Sequence, residues 1–410
     1  MTGIAASEAF YARLLDEHLV LVDQERAELG VLNPTAALLW LLLDEDIHDP
    51  DSLSAACAEL IDDAPDDLAT TIKTTLAEWL ARGWLEQIRD GYRIIRRPCP
   101  AQDPDRHRGT WFPPGKQLPE YDLVSALTLR LGGRSFRVEL GDTGAPGHPD
   151  TLARVRGVLS GMIAPTQDEN PIELRWLHDG EAFWLASKDA VLWTRDESHA
   201  ISSLVTALLQ GAYAEQGLFA TMHAAAVSRA GAVLLLPGVS GSGKSTLTAY
   251  LVAQGWSYLG DDIVALGRRP QDKGVEIHPF PSAIGLKPGS WPMLRPYYPA
   301  IDSLPVVPYS NRQARFLPVG GNRVPTETRQ CLRAILLPRY SPDAAVEIAP
   351  ISPVQALCEL IGAGVSTRQT AHMGHAEILL QMLEEVPAYK LTYSDLDAVA
   401  SALESLTTCR

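Results

Sequence analysis

The chain has 410 residues, of which 46% are hydrophobic and 21% charged, and carries a formal charge of −15. That length exceeds one ordinary core and the composition is globular, so two or three domains are expected. The longest apolar run, Ala36 to Leu43, is too short for a membrane span, and MTGIAASEAF lacks the basic and apolar parts of a signal peptide, so a cytoplasmic protein with no membrane partner is expected. Five scattered cysteines with no CxxC pair exclude a disulfide framework and a zinc ribbon. Residues 1–97 hold 19 acidic and 8 basic side chains, so −11 of the charge lies there, and nucleic acid is excluded as the expected partner.

In chain order, HLVLV and AELGVL alternate around DQER as a hairpin. Asn33 reads as an N-cap and Pro34 as the first position of a helix from Thr35 to Leu43. Two further helices are expected over about Ser52–Ile61 and Asp66–Ala81. The second has Leu68, Ile72, Leu76, Trp79 and Leu80 on one face and Gly83 as its stop. Residues 98–121 read as a stiff linker, because PCPAQDPDRHRGTWFPPGKQLPE contains six prolines and no period.

Beyond it, SALTLRLGGRSFRVEL reads as strand, turn and strand around Gly132-Gly133, and IELRWLHDGEAFWLAS as the same around Asp179-Gly180. An apolar helix from Ile201 to Tyr213 leads towards His223. AAAVSRAGAVLLLPG is another hairpin whose second strand runs straight into GVSGSGKSTL. The remaining chain alternates strand-like runs (LRAILLPR, AYKLTYS) with helical ones (Pro353–Ile361, Ala376–Glu385). The class is therefore α/β or α+β, divided as 1–97, the linker 98–121, a lobe over 122–215 and a domain over 216–410.

Gly238, Gly243, Lys244 and Ser245 complete G-x-x-x-x-G-K-[ST], with a strand (Ala232–Leu236) before it and a helix (Ser245–Gln254) after it. Glycines let successive N–H groups face an anion, Lys244 supplies a point charge, and the Ser245 hydroxyl can ligate Mg²⁺. ATP and Mg²⁺ are the expected cofactors, with Ser240, Gly241, Ser242 and Thr246 completing the cradle. Seventeen residues past Lys244, Asp261 and Asp262 stand in the apolar run YLGDDIVAL. Neighbours on a strand face opposite ways, so a turn or bulge must lie there if both serve one site.

These residues give the second half a resemblance to the HPr kinase/phosphorylases and their peptide-phosphorylating relatives, within a PEP-carboxykinase/HPr-kinase-like P-loop fold. The shared features are the histidine of MHAAAV, the loop, the GDDIVAL aspartates and a closing VPAYKLTYSDLDAV, spanning about Leu123 to Leu406. TLTAYLVAQG replaces the family's ETALEL-type helix. The resemblance implies that Asp261 is the general base for a hydroxyl substrate, that Asp262 and Ser245 hold Mg²⁺, and that His223 orients or tunes the base. Swapped aspartate roles and a purely structural His223 are the alternatives. Where the family carries a metal-binding glutamate in E-[IV]-R-G, this chain has IGLKPG. Lys287 there cannot ligate a metal but could hold a phosphate, which implies kinase activity without phosphorolysis; the alternative is a surface lysine before a turn. Arg312, Arg315 and Arg368 are loop cations that stabilise charge or are simply solvated.

Hairpin plus three helices with LNPTAALLW gives Glu8 to about Ile95 a resemblance to PqqD-type domains, small winged-helix elements that bind leader segments of ribosomally made peptides; a generic DNA-binding winged helix is the alternative that the charge disfavours. The two resemblances together imply an ATP-dependent Ser/Thr kinase acting on a precursor peptide whose leader binds residues 1–97. A free amino acid kinase and a non-catalytic, nucleotide-dependent peptide chaperone are the competing readings. Relatives form hexamers, so a homo-oligomer is left open.

Overall fold

A computed structural model of the chain describes residues 10–23, 28–45, 47–61, 65, 67–95, 118–144, 148–165, 168, 170–188, 190–268, 274–309, 312–319, 330–363 and 373–407. Most of the expected linker 98–121 falls outside them, as does Arg368. No helix among the described residues is long and apolar enough to cross a membrane. The chain divides into two compact units: Met1–Gln102 with Ser352–Ile361 and Thr367–Glu385, and Asp103–Ile351 with Gly362–Ser366 and Val386–Arg410.

In the first unit, strands β1 (Phe10–Leu15), β2 (His18–Asp23) and β3 (Glu28–Leu32) form an antiparallel sheet with β2 central. The β2–β3 pair is the expected hairpin; β1 is an additional strand. Helices α1 (Pro34–Asp44), α2 (Pro50–Leu60) and α3 (Leu68–Ala81) follow, then a second hairpin of β4 (Leu85–Ile88) and β5 (Gly91–Ile94). Asn33 caps α1 as its sequence implies, its side chain accepting from Ala36 N at 2.9 Å with Pro34 at the first position. The core is aromatic: Trp40 meets Phe10, Trp79 and Trp84 edge-on with ring centres 5.2 to 6.1 Å apart.

Two late helices, Pro353–Ala363 and Met373–Glu385, belong largely to this unit. Asp16 accepts from Val354 N at 3.1 Å, and Arg13 on β1 pairs with Glu384 at 2.6 Å. The compact units therefore depart from the expected division, which kept 216–410 together. A turn acid and a strand arginine recruit these helices, and no sequence period reveals such a pairing.

In the second unit, β6 (Asp122–Leu131), β7 (Arg134–Asp142), β8 (Ile172–His178), β9 (Phe183–Ala186) and β10 (Val191–Thr194) form a sheet in the order β10-β9-β8-β7-β6. Helix α4 (His148–Leu159) connects the parallel pair β7 and β8, and α5 (Glu197–Tyr213) follows β10. Phe136, Val138, Leu140, Trp176, Leu204 and Leu208 are buried between sheet and helices, and the same cluster takes in Ala265 and Phe280. The expected boundary at residue 215 is thus not a break in the packing.

The Asp179-Gly180 turn forms as expected, with Gly180 at φ 89°. Asp179 accepts from Glu181 N and Ala182 N at 2.9 and 2.8 Å and from Trp184 Nε1 at 2.7 Å. Burial alone would raise the Asp179 carboxyl, but these bonds outweigh it and hold its pKa below the ordinary value of 3.8. A depressed folded pKa stabilises the fold above the unfolded value, and that contribution is lost as the pH falls through the folded one. Asp179→Asn is therefore expected to destabilise at neutral pH and to flatten the acid limb of thermal unfolding, read by Trp fluorescence between neutral and acid buffers.

The larger sheet has nine strands. It contains β11 (Leu218–Met222), β12 (Ala224–Arg229), β13 (Ala232–Pro237), β14 (Ser257–Gly260), β15 (Val264–Arg268) and β16 (Val275–His278). Strands β17 (Ile284–Leu286), β18 (Val307–Tyr309) and β19 (Arg312–Leu317) form a separate small sheet. β20 (Gln330–Tyr340), β21 (Glu347–Ile351) and β22 (Ala388–Tyr393) complete the large one, in which β20 runs parallel to both β13 and β22. β13 is buried at every residue, as an interior strand with a parallel neighbour must be, which explains its unbroken AVLLLP. Helix α6 (Lys244–Ala253) follows it, a four-residue α7 (Trp291–Leu294) sits before β18, the two late helices are α8 and α9, and α10 (Leu396–Thr407) closes the chain.

Candidate active site

The loop between β13 and α6 has the shape its glycines require. Gly241 and Gly243 adopt φ 98° and 93°, the left-handed region closed to most side chains. A Cβ on Gly238 would lie 2.7 Å from Ser242 Oγ, and one on Gly243 2.6 Å from the Tyr393 hydroxyl. The ends of β20 and β22 brace the loop from outside: Tyr340 N donates to Ser242 O at 2.9 Å, and the Tyr393 hydroxyl donates to Gly243 O at 3.2 Å. Residues Val239 to Thr246 line a cavity of about 630 Å³, within the range that holds a nucleotide-sized ligand. Gly238 lies outside the lining and serves the turn.

Lys287 reaches this cavity and donates to Ser240 Oγ on the loop. Of the two readings of that residue, a cation beside the anion cradle agrees with its position. Arg315 does not line the cavity. Its guanidinium pairs with Asp302 at 2.6 Å and lies over the Trp291 ring at 4.0 Å, so it fastens the small sheet. Arg312 opens β19, and its side chain lies outside what is described.

His223, in the one-residue step between β11 and β12, Lys244 and Asp262 converge at the inner end of the cavity. Lys244 Nζ is 3.2 Å from His223 Nε2 and 3.4 Å from Asp262 Oδ1, and only 6% of its side chain is exposed. Burial first, then the Lys244 ammonium, hold the His223 imidazole below its ordinary value, while the Asp262 carboxylate pulls the other way. A neutral ring can accept from Lys244 through Nε2.

Asp261 and Asp262 sit in the break between β14 and β15. Asp262 takes φ 67°, so the strand turns there. A Cβ on Gly260 would lie 2.9 Å from the Phe280 carbonyl, so glycine admits the neighbouring backbone; Ser282 Oγ donates to Asp261 O at 3.2 Å. The two side chains meet different surroundings. Asp262 faces the loop cavity, whereas Asp261 is 1% exposed and lines a second cavity behind it.

Neither carboxyl oxygen of Asp261 makes a full hydrogen bond among the described residues. Burial first, then the charge of Asp262, push its pKa up to about 7, against weaker opposing effects of Lys244, the Ser245 hydroxyl and the Asp262 N–H. A buried acid without a settled partner is a candidate proton acceptor.

A hard cation fits Ser245 and Asp262. Among the described residues no group of three or more His, Cys, Asp or Glu could hold a metal, and Mg²⁺ characteristically takes one or two protein oxygens and completes its shell with phosphate and water. The second cavity, by contrast, was not legible from sequence. Arg154 and Glu197 lie on different helices and carry no motif.

Fold and site together define a mixed α/β protein in which a glycine-rich loop and a buried carboxyl share one compact unit. Residues 18–85 match the family described as "Coenzyme PQQ synthesis protein D (PqqD)", and this segment is a PqqD domain. No curated protein matches the chain. Among solved structures, the Hpr(Ser) kinase/phosphatase from Coxiella burnetii aligns at 11% identity with a TM-score of 0.22, covering 45% of this chain and 92% of that one. That score is too low to carry an assignment.

Proposed function

We propose that this chain is an ATP-dependent kinase that phosphorylates a Ser or Thr hydroxyl of a ribosomally made precursor peptide, and that the PqqD domain binds the peptide's leader. The observation that carries the reading is the pairing of a glycine-rich loop with the buried carboxyl of Asp261, whose pKa is raised, with Lys244 reaching from the loop to His223 and Asp262 between them. Loop N–H groups, Lys244 and Lys287 hold the phosphates; Ser245 and Asp262 hold Mg²⁺, which when bound neutralises phosphate charge. Asp261 takes the proton of the acceptor hydroxyl. That oxygen bonds to the γ-phosphorus as the bond from the γ-phosphorus to the bridging oxygen breaks, and ADP leaves. His223, neutral and against Lys244, positions the ammonium.

PqqD-type domains bind leaders as an added strand on a sheet edge, where backbone bonds give affinity and side-chain pockets selectivity. Here β1 is flanked by α9 through Arg13 and Glu384, and among the described residues β3 (Glu28–Leu32) has β2 as its only strand neighbour in the sheet. β3 is the edge proposed for the leader. The test incubates the full chain with ATP, Mg²⁺ and the precursor peptide of its own gene cluster. A mass gain of one phosphoryl group on Ser or Thr is expected, together with competition by the isolated leader. No gain in mass removes the kinase reading.

A further inference from the structure

Behind Asp261 lies a cavity of about 310 Å³, at the small end of ligand pockets, that shares His223, Asp262 and Phe316 with the loop cavity. Asp261 opens into it and not into the loop cavity. A proton can pass to Asp261 only from a group within hydrogen-bond reach, so a hydroxyl that loses its proton there must enter from this side. The far wall comes from α4 and α5, which contribute Arg154, Val158, Glu197, Ile201 and Val205.

The charges on that wall are already matched. Arg154, 9% exposed, donates through Nε to Pro308 O at 2.7 Å and pairs through Nη1 with Glu197 Oε2. Glu197 Oε1 is buried and has no hydrogen-bond partner among the described residues. One acceptor atom is thus left waiting for a donor, next to a neutralised pair. A free amino acid would bring an ammonium that the acids could take, but also a carboxylate, for which this wall offers no free guanidinium because Arg154 is engaged by Glu197. A residue within a chain brings an uncharged N–H instead.

We propose that this cavity is the acceptor pocket, that it takes one hydroxy-bearing residue as part of a chain with its flanking amides intact, and that Glu197 Oε1 receives an N–H of that residue. The proposal rests on the kinase reading and selects a peptidyl over a free amino acid acceptor. The Arg154–Glu197 pair sets that selectivity: it removes from the pocket the cation a substrate carboxylate would need.

The test uses the full chain with MgATP and two probes, N-acetyl-L-serinamide and L-serine. Phosphoryl transfer to the amide and little to L-serine is expected. Ser202→Trp places a large ring at the exposed mouth of the cavity. It is expected to lower amide kcat/KM by ~10-fold or more with MgATP affinity, measured by calorimetry, retained. Glu197→Ala releases Arg154 and is expected to raise the L-serine to amide preference by ~10-fold or more, a change that mere loosening of α5 would not produce.

Binding of the amide is measured separately by saturation-transfer NMR with Mg²⁺ and a non-hydrolysable ATP analogue. If the parent transfers nothing but binds the amide and Ser202→Trp abolishes that binding, the kinase reading fails and the pocket stands. If Ser202→Trp leaves both binding and transfer unchanged, or if the parent prefers L-serine, the pocket proposal is overturned.

Discussion

Asp261→Asn is expected to lower phosphoryl transfer by about 10²-fold or more while leaving a protein that binds nucleotide and unfolds at a higher temperature than the parent at pH 8. The two effects have one cause. Asp261 is buried and neither oxygen makes a full hydrogen bond among the described residues, so its ionised form carries a desolvation cost that Lys244, the Ser245 hydroxyl and the Asp262 N–H offset only in part. Its raised pKa gives the sign: the parent's contribution from this group is fully present below the ordinary value of 3.8 and is lost as the pH rises through about 7. An amide of the same shape does not ionise, so the variant escapes that loss, and the two proteins converge in stability near pH 4. Thermal unfolding of the nucleotide-free protein across this interval, with single-turnover transfer at pH 8, measures both. A variant that transferred phosphate at the parental rate would remove Asp261 as the base.

Lys244→Gln is expected to weaken MgATP binding and to lower kcat by on the order of 10²–10³-fold, the cost of losing one preorganised charge in a dry site. Lys244 is held almost wholly out of solvent against His223 and Asp262, and replacing it leaves Asp261 and Asp262 without the cation that moderates their repulsion. The apo protein is therefore expected to lose stability with this variant, the opposite of Asp261→Asn. Calorimetric titration with MgATP and thermal unfolding distinguish the pair. Lys244→Arg is expected to restore charge without full activity, because a planar fork does not fit a space shaped for a point charge. Retention of parental MgATP affinity in Lys244→Gln would exclude the loop as the nucleotide site.

The site was legible in sequence where its parts are contiguous. G-x-x-x-x-G-K-S fixes its own conformation, because left-handed glycines, a backbone that turns back on itself and a helix starting at Lys244 are all local consequences of eight residues. The chain does turn at the Asp261-Asp262 pair, with Asp262 at φ 67°, but only Asp262 lines the loop cavity. Asn33-Pro34 announced the start of α1. The hairpin β4–β5 carries a turn signal of the usual kind in Asp90-Gly91, with Gly91 at φ 144°, but its strands are only four residues each. Strand β1, FYARLL, is weakly signalled in sequence, because its alternation is irregular and Arg13 on it pairs with Glu384 of α9 far along the chain.

Sequence alone determined the groups available to this protein: a glycine-rich loop, a pair of acids one strand away, a histidine before them and an N-terminal segment that matches PqqD. Tertiary structure decided how those groups are divided. It turned Asp262 towards the loop cavity and Asp261 towards another, paired Arg315 with Asp302 instead of a ligand, brought Lys287 to Ser240 and set Arg154 against Glu197. Side-chain identity is written residue by residue, but which face a group presents, and how far from water, depends on strands and helices tens of residues apart being packed together, and no local period encodes that.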